Sequence, residues 1–275
     1  MQLFFINNRL INVSLIFLIS YIVVHLLYLF FTYFCAILID LPEATFYFAY
    51  IDYDVSLYKS WSRLRVVLLF GVPTFMMIVL ALGSWVMMKK FSFYGSSKVK
   101  LFFLWSILSS LSFVISDFVS APFYRHGISV VADWFYIKKE TMFIISLLFW
   151  AIIPFVSWSF SKTFMKIAYS RRFLLTKWTR MSFLANTILL PYLLVAVLVA
   201  ALLIYSPGYN LEYYLSIDFI RVFVLLSMVG FIFIFNFHKR YMAINRNREL
   251  EHLNYSFIFV SLLSMSVIYL VLYLI

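Results

Sequence analysis

Seven long apolar runs, separated by short polar segments, fill the sequence. A helix needs about 20 apolar residues to cross roughly 30 Å of hydrocarbon, and each run approaches or exceeds that length. Because lipid offers no partner to free backbone groups, and the runs are too long for barrel strands, the pattern predicts helices. The predicted spans are residues 14–39, 66–88, 101–121, 142–160, 183–205, 219–237 and 255–275. We therefore expect an all-α, polytopic membrane protein with seven transmembrane helices and one membrane domain, residues 1–275.

Positive residues are concentrated in alternate gaps. The N-terminus and the gaps after the second, fourth and sixth spans hold one, four, six and four of the 22 Lys and Arg, and the other gaps hold seven. Lys and Arg collect on the cytoplasmic side of membrane proteins. The distribution predicts a cytoplasmic N-terminus and a C-terminus outside the cell membrane. It also explains the net charge of +11 without a nucleic-acid partner.

Composition agrees with this assignment and limits the chemistry. Hydrophobic residues make up 65% of the chain and charged residues 12%, whereas a soluble domain has about 25% charged residues. The single cysteine, Cys35, excludes an internal disulfide and a cysteine-based metal cluster. The sequence has no HExxH, GxSxG, Walker or dinucleotide-binding motif. We expect no metal, no cofactor and no recognised catalytic constellation.

The first span carries a polar stripe along one helical face. Its members recur at steps of three, four or seven residues, namely Ser14, Tyr21, His25, Tyr28, Thr32 and Cys35. His25 lies near the middle of the span, where a charge is costly, so it is neutral unless it faces a partner or water. Two interpretations stay open: a proton relay, ligand contact or metal ligand, and a packing stripe with His25 hydrogen-bonded to a neighbouring helix.

The third span combines a serine stripe with an acid. The serines recur at helical spacing at positions 106, 109, 112 or 110, 116 and 120, and suit either close helix packing or the wall of a hydrated cavity. Asp117 lies about one turn from the outer boundary, and an acid within a span is a candidate functional group. A polar pathway would contain His25, Tyr21, Tyr28, Asp117 and Ser116.

Charged residues just beyond the third span form a second candidate set at the outer face. Arg125, His126 and Asp133 follow Asp117 closely, and the two basic residues could pair with Asp117 or draw water to it. Together the four groups supply acid, base and phosphate-binding chemistry. Asp218 and Arg221 are three residues apart at the start of the sixth span, and this spacing predicts a local ion pair.

One stretch resembles a known group of proteins. Residues 100–137 are similar to uncharacterised multi-spanning inner-membrane proteins of Bacteroidota, in a run that includes Trp105, Gly127, Trp134 and Tyr136. The resemblance implies a location in a bacterial inner membrane and supplies no activity.

These observations lead to two functional hypotheses. The first is a non-catalytic membrane protein, either a transport protein or a subunit of a membrane assembly, with the stripe of the first span facing that of the third. The second is an intramembrane enzyme that acts on a lipid or lipid-linked substrate near the outer face. The expected partners are the lipid bilayer and either another membrane protein or a second copy of the chain.

Overall fold

The computed structural model describes most of the predicted membrane domain. The described residues are 8–41, 45–46, 51–52, 61–91, 97–168, 176–204, 211–237, 259 and 263. The predicted seventh span, residues 255–275, therefore lies outside the described residues apart from Phe259 and Leu263.

Helices account for nearly all of the described chain. The first half contains α1 (Asn8–Leu38), the two-residue strands β1 (Thr45–Phe46) and β2 (Ile51–Asp52), α2 (Arg63–Val66), α3 (Val72–Phe91) and α4 (Ser97–Ser120). The second half contains α5 (Ile128–Trp134), α6 (Lys139–Met165), α7 (Lys177–Leu184), α8 (Leu190–Ile204) and α9 (Leu211–Phe237). The two strands pair antiparallel, with Thr45 opposite Asp52.

Six helices of the described chain are long and apolar enough to cross a membrane. They cover Asn8–Leu38, Arg63–Lys90, Ser97–Ser120, Lys139–Met165, Lys177–Ala201 and Ile217–Phe237. Each contains or closely overlaps one of the first six predicted spans, so the prediction of apolar spanning helices is confirmed for these six. Large apolar side chains remain exposed on their outer surfaces, for example Phe155 at 66% and Val197 at 72%. Such surfaces suit contact with lipid.

The fourth helix is the centre of the bundle. α4 packs against α1, α3, α6 and α9. Its side chains Leu101, Leu104, Trp105 and Leu108 are fully buried. Trp105 stacks on Phe17 of α1, with ring centroids 4.0 Å apart. Since α4 is shielded by neighbours on several sides, polar groups on it are held away from lipid.

Two spans contain a π-helical turn just before a proline. The turns are Val67–Gly71, which joins α2 to α3, and Ala185–Leu189, which joins α7 to α8. Each ends with an N–H bonded to the carbonyl five residues earlier, from Val72 to Val67 and from Leu190 to Ala185. Pro73 and Pro191 follow directly and have no N–H to donate. The wider turns therefore adjust the backbone where the regular ladder is interrupted, and π turns are common at functional sites.

One end of the bundle gathers the acidic side chains discussed below. α1 and α4 end there, while α2, α6 and α9 begin there. We call it the Asp117 end. Which side of the membrane it faces stays a prediction from the charge distribution.

Candidate functional site

Asp117 is a completely buried acid inside the helix bundle. It lies on α4, one turn before Ser120 ends the helix, and its exposed fraction is 0%. The hydroxyl of Thr74 on α3 donates a hydrogen bond of 2.6 Å to Asp117 Oδ2. Thr74 is itself buried and directly follows the π turn and Pro73. A carboxylate in such a place needs partners, because removing an isolated charge from water is very costly.

A buried arginine faces Asp117 from α9. Arg221 Nη2 lies 3.7 Å from Asp117 Oδ1, and Arg221 Nη1 donates a 2.9 Å hydrogen bond to Asp218 Oδ1. The longer contact exceeds hydrogen-bond distance. Asp117 Oδ1 has no hydrogen-bond partner among the described residues. We call Thr74, Asp117, Asp218 and Arg221 the Asp117 centre; it joins α3, α4 and α9.

The charges of the Asp117 centre do not cancel. Two carboxylates share one guanidinium, so the three charged groups sum to −1 when both acids are ionised. The shorter contact places the guanidinium closer to Asp218 than to Asp117. Asp117 is therefore the less neutralised of the two acids.

Aromatic rings enclose the guanidinium. Its central carbon lies 4.5 Å from the ring centroid of Phe113 on α4 and 5.1 Å from that of Tyr28 on α1. The rings of Tyr28 and Phe113 are themselves 5.2 Å apart. Cations are attracted to aromatic faces, most strongly where water is excluded. The rings therefore fix Arg221 between α1 and α4, and bring α1 into the site.

Three members of the predicted stripe on α1 lead towards this arginine. Tyr21, His25 and Tyr28 are all buried. The His25 ring lies 6.2 Å from that of Tyr21 and 6.0 Å from that of Phe113, and the Tyr21 ring lies 6.1 Å from Phe113. The rings of these three residues pack around Phe113. They form a buried row that ends at Arg221.

The other members of that stripe have separate surroundings. Thr32 bonds the carbonyl of Tyr28 on its own helix. Cys35 lies in a second apolar cluster that also contains Trp61 and Leu69. The polar contact between α1 and α4 is instead made by Ser20 and Ser106, whose hydroxyl oxygens are 3.0 Å apart. Ser20 was not singled out from the sequence.

Most serines of α4 satisfy themselves locally. Ser112, Ser116 and Ser120 donate to carbonyls three residues earlier on the same helix, with the Ser116 bond to Phe113 measuring 2.8 Å. The hydroxyls of Ser109 and Ser110 are buried without a hydrogen-bond partner among the described residues. The serine stripe therefore acts mainly as a close-packed surface.

The predicted outer-face residues divide into separate contacts. Arg125 Nε lies 3.1 Å from Asp133 Oδ2, and both side chains are substantially exposed. Asp117 instead contacts Thr74 and Arg221 inside the bundle. The expected partner of Asp117 among the adjacent basic residues is thus replaced by an arginine from α9.

His126 and Gly127 lie closer to the Asp117 centre than the exposed pair of Arg125 and Asp133 does. Burial, and secondly the positive charge of Arg221, lower the pKa of His126 to about 3, so this imidazole is neutral near pH 7. Gly127 has φ +54°, and a Cβ at this position would lie 3.5 Å from Asp117 Oδ2. The backbone of Gly127 therefore passes directly over the carboxylate.

The described residues do not suggest a metal centre. No group of three or more His, Cys, Asp or Glu is placed to hold an ion within the described part of the chain. Arg221, which faces the same acid, would also repel a cation at Asp117 Oδ1. The chemistry that the arrangement supports is the exchange of a proton or the binding of a small polar ligand.

Sequence reasoning identified Asp117 and missed its partners. Arg221 had been assigned only to a local pair with Asp218, although an arginine within a span is as unusual as an acid. That rarity was the signal that would have linked Arg221 to Asp117. Thr74 has no comparable signal, because threonine is common in transmembrane helices.

No protein-family model, curated protein or solved structure matches the chain. The function must be argued from the site itself.

Proposed function

We propose that the protein is a non-catalytic membrane transport protein in which the Asp117 centre lies on the transport path. The observation that carries the proposal is the fully buried carboxylate of Asp117 beside an arginine that it shares with Asp218. Ionisable groups within spans are costly and typically serve substrate, ion or proton pathways.

The buried row on α1 supports a path along the same helices. Tyr21, His25 and Tyr28 carry polar atoms, and Tyr28 contacts the guanidinium of Arg221. Together with Ser116 and Asp117 they are the pathway residues expected from the sequence. Ser116 donates to its own helix, so it contributes shape to this path, and the other four contribute polar groups.

The enzymatic alternative receives less support from the geometry. It requires Asp117, Arg125, His126 and Asp133 to act on one substrate at the outer face. However, Asp117 and Asp133 have different guanidinium partners, one inside the bundle and one at its surface. The other form of the non-catalytic hypothesis, a subunit of a membrane assembly, predicts a stoichiometric membrane partner upon purification.

The two functions differ in their sensitivity to substitution. We would reconstitute the full chain in liposomes and follow internal pH with an entrapped dye after an acid jump. Flux above that of protein-free liposomes, reduced more by His25→Ala than by Arg125→Ala, supports transport. Absence of flux, or the reverse order of sensitivity, contradicts it. Both variants must elute as monodisperse species before they are compared.

A further inference from the structure

We infer that the ion taken up at the Asp117 centre is a proton, and that Asp117 Oδ1 carries it. This inference rests on the proposed function, because it names the ion class of the proposed transport site. It is carried by the unequal contacts that one guanidinium makes to two acids.

Asp218 is the acid that the guanidinium contacts more closely. Arg221 Nη1 donates to Asp218 Oδ1 at 2.9 Å, the length of a charge-assisted hydrogen bond. The two residues are one turn apart on α9, so their pairing requires no contact with another helix. A proton on Asp218 would weaken this bond.

The contacts of Asp117 leave one oxygen available. Oδ2 accepts the hydrogen bond of Thr74 at 2.6 Å, whereas Oδ1 has no hydrogen-bond partner among the described residues and lies 3.7 Å from the guanidinium. A buried acceptor without a hydrogen bond is unfavourable, and more so when charged. A proton that bonds Oδ1 converts the acid to its neutral form, and changes the summed charge of the centre from −1 to zero.

The neighbouring groups do not compete for that proton. Arg221 and Asp218 face Asp117 from α9, Thr74 faces it from α3, and Tyr28 approaches from α1. On the loop before α5, His126 has a pKa lowered to about 3 and is neutral near pH 7. The phenol and the guanidinium keep their protons near neutral pH. Asp117 is therefore the group in this set whose charge changes on proton uptake.

A metal ion fits the same position poorly. Sodium or a divalent ion needs several oxygen ligands, and the guanidinium of Arg221 faces the oxygen that would bind it. A proton needs only one lone pair and no coordination shell. The ligand class that matches a single bare carboxylate oxygen beside a fixed cation is thus the proton.

Infrared spectroscopy of the full chain in lipid nanodiscs tests the inference. As the buffer is changed stepwise from alkaline to acidic, we expect the C=O stretching band of one buried, protonated carboxyl group. The band should be lost in Asp117→Asn, shifted in Asp117→Glu, and unchanged in Asp133→Asn, the surface control. Asn keeps an oxygen for Thr74 and leaves Arg221 paired with Asp218, and the Glu variant decides the result if the Asn variant does not fold.

The outcomes separate this inference from the proposed function. Loss of the band in Asp218→Asn and its retention in Asp117→Asn would overturn the assignment, as would the absence of any such band at every pH. The band without proton flux in liposomes would overturn transport and leave the protonation site intact. Flux without the band would overturn the assignment of the proton to Asp117 and leave the transport proposal intact.

Discussion

Arg221 Nη2 lies 3.7 Å from Asp117 Oδ1, which connects two helices that are distant in sequence through a buried ion pair. The guanidinium of Arg221 lies beside the rings of Tyr28 and Phe113, and Thr74 donates a hydrogen bond to the other carboxylate oxygen of Asp117. A contact of this kind has two effects. It stabilises one arrangement of α3, α4 and α9. The strength of this stabilisation depends on whether Asp117 is charged.

Removal of the guanidinium should destabilise the fold strongly. Arg221→Met leaves the carboxylates of Asp117 and Asp218 buried without their shared cation, and breaking a buried pair from one side costs about 3–5 kcal/mol. The free energy of unfolding in detergent micelles measures this. Arg125→Met breaks the exposed pair with Asp133 and should cost about 0–1 kcal/mol. Equal losses of unfolding free energy in both variants would show that the buried pair stabilises the fold no more than the exposed pair does.

The hydrogen bond from Thr74 can be tested by an isosteric change. Thr74→Val removes the 2.6 Å bond to a carboxylate oxygen, and such bonds contribute about 1.5–3 kcal/mol. Thr187 is the matched control, because its buried hydroxyl has no hydrogen-bond partner among the described residues. Thr187→Val should leave the unfolding free energy unchanged or raise it. A larger loss in Thr187→Val than in Thr74→Val would be inconsistent with the site.

The backbone over Asp117 depends on glycine. Gly127 has φ +54° and ψ −124°, a combination that side chains with a Cβ avoid, so Gly127→Ala should cost about 1–3 kcal/mol. Gly83 lies within α3, and a Cβ there would meet nothing within 4 Å. Gly83→Ala should therefore leave the free energy of unfolding unchanged or raise it, and the same measurement in detergent micelles compares both variants. Tolerance of Gly127→Ala would argue against this path of the backbone.

Acidification should weaken the fold through His126. Its pKa is lowered to about 3 in the folded protein, against an ordinary value of 6.5, so the unfolded chain binds more protons between these two values. This contribution to stability is complete above about pH 6.5 and declines as pH falls towards 3. His126→Gln removes it, so the unfolding temperature of the variant should fall less between pH 7 and pH 5. If the unfolding temperatures of the variant and the parent protein fall equally between pH 7 and pH 5, His126 does not contribute to the pH dependence of stability.

The apolar pattern predicted the spans well because burial in lipid requires long continuous runs. The predicted span at residues 101–121, for example, corresponds to the helix Ser97–Ser120. Asp117 was also recognisable, since an acid in such a run has a high cost. Hydropathy alone did not pair Asp117 with Arg221, because it places residues along a helix and does not say which helices are neighbours. The signal for this pair was the rarity of both charges within spans. The π-helical turn Val67–Gly71 is a second feature that hydropathy does not predict, because hydropathy does not report the hydrogen-bond pattern within a helix.

The stripe on α1 shows the same limit. Its periodicity predicted that Tyr21, His25 and Tyr28 share one helical face, and all three are buried. The rings of these residues contact Phe113 of α4. The serines of α4 mostly donate hydrogen bonds to carbonyls of their own helix. Serine hydroxyls reach backbone carbonyls within one turn, and this local choice removes them from contacts between helices.

Proton flux in liposomes that contain Asp117→Asn tests the central claim most directly, namely that Asp117 is the proton-carrying group of a transport site. The variant should abolish the flux of the parent protein after an acid jump, while Asp133→Asn, at the exposed pair, should leave it unchanged. Both proteins must unfold at temperatures close to that of the parent. Full flux in a folded Asp117→Asn variant would contradict the account.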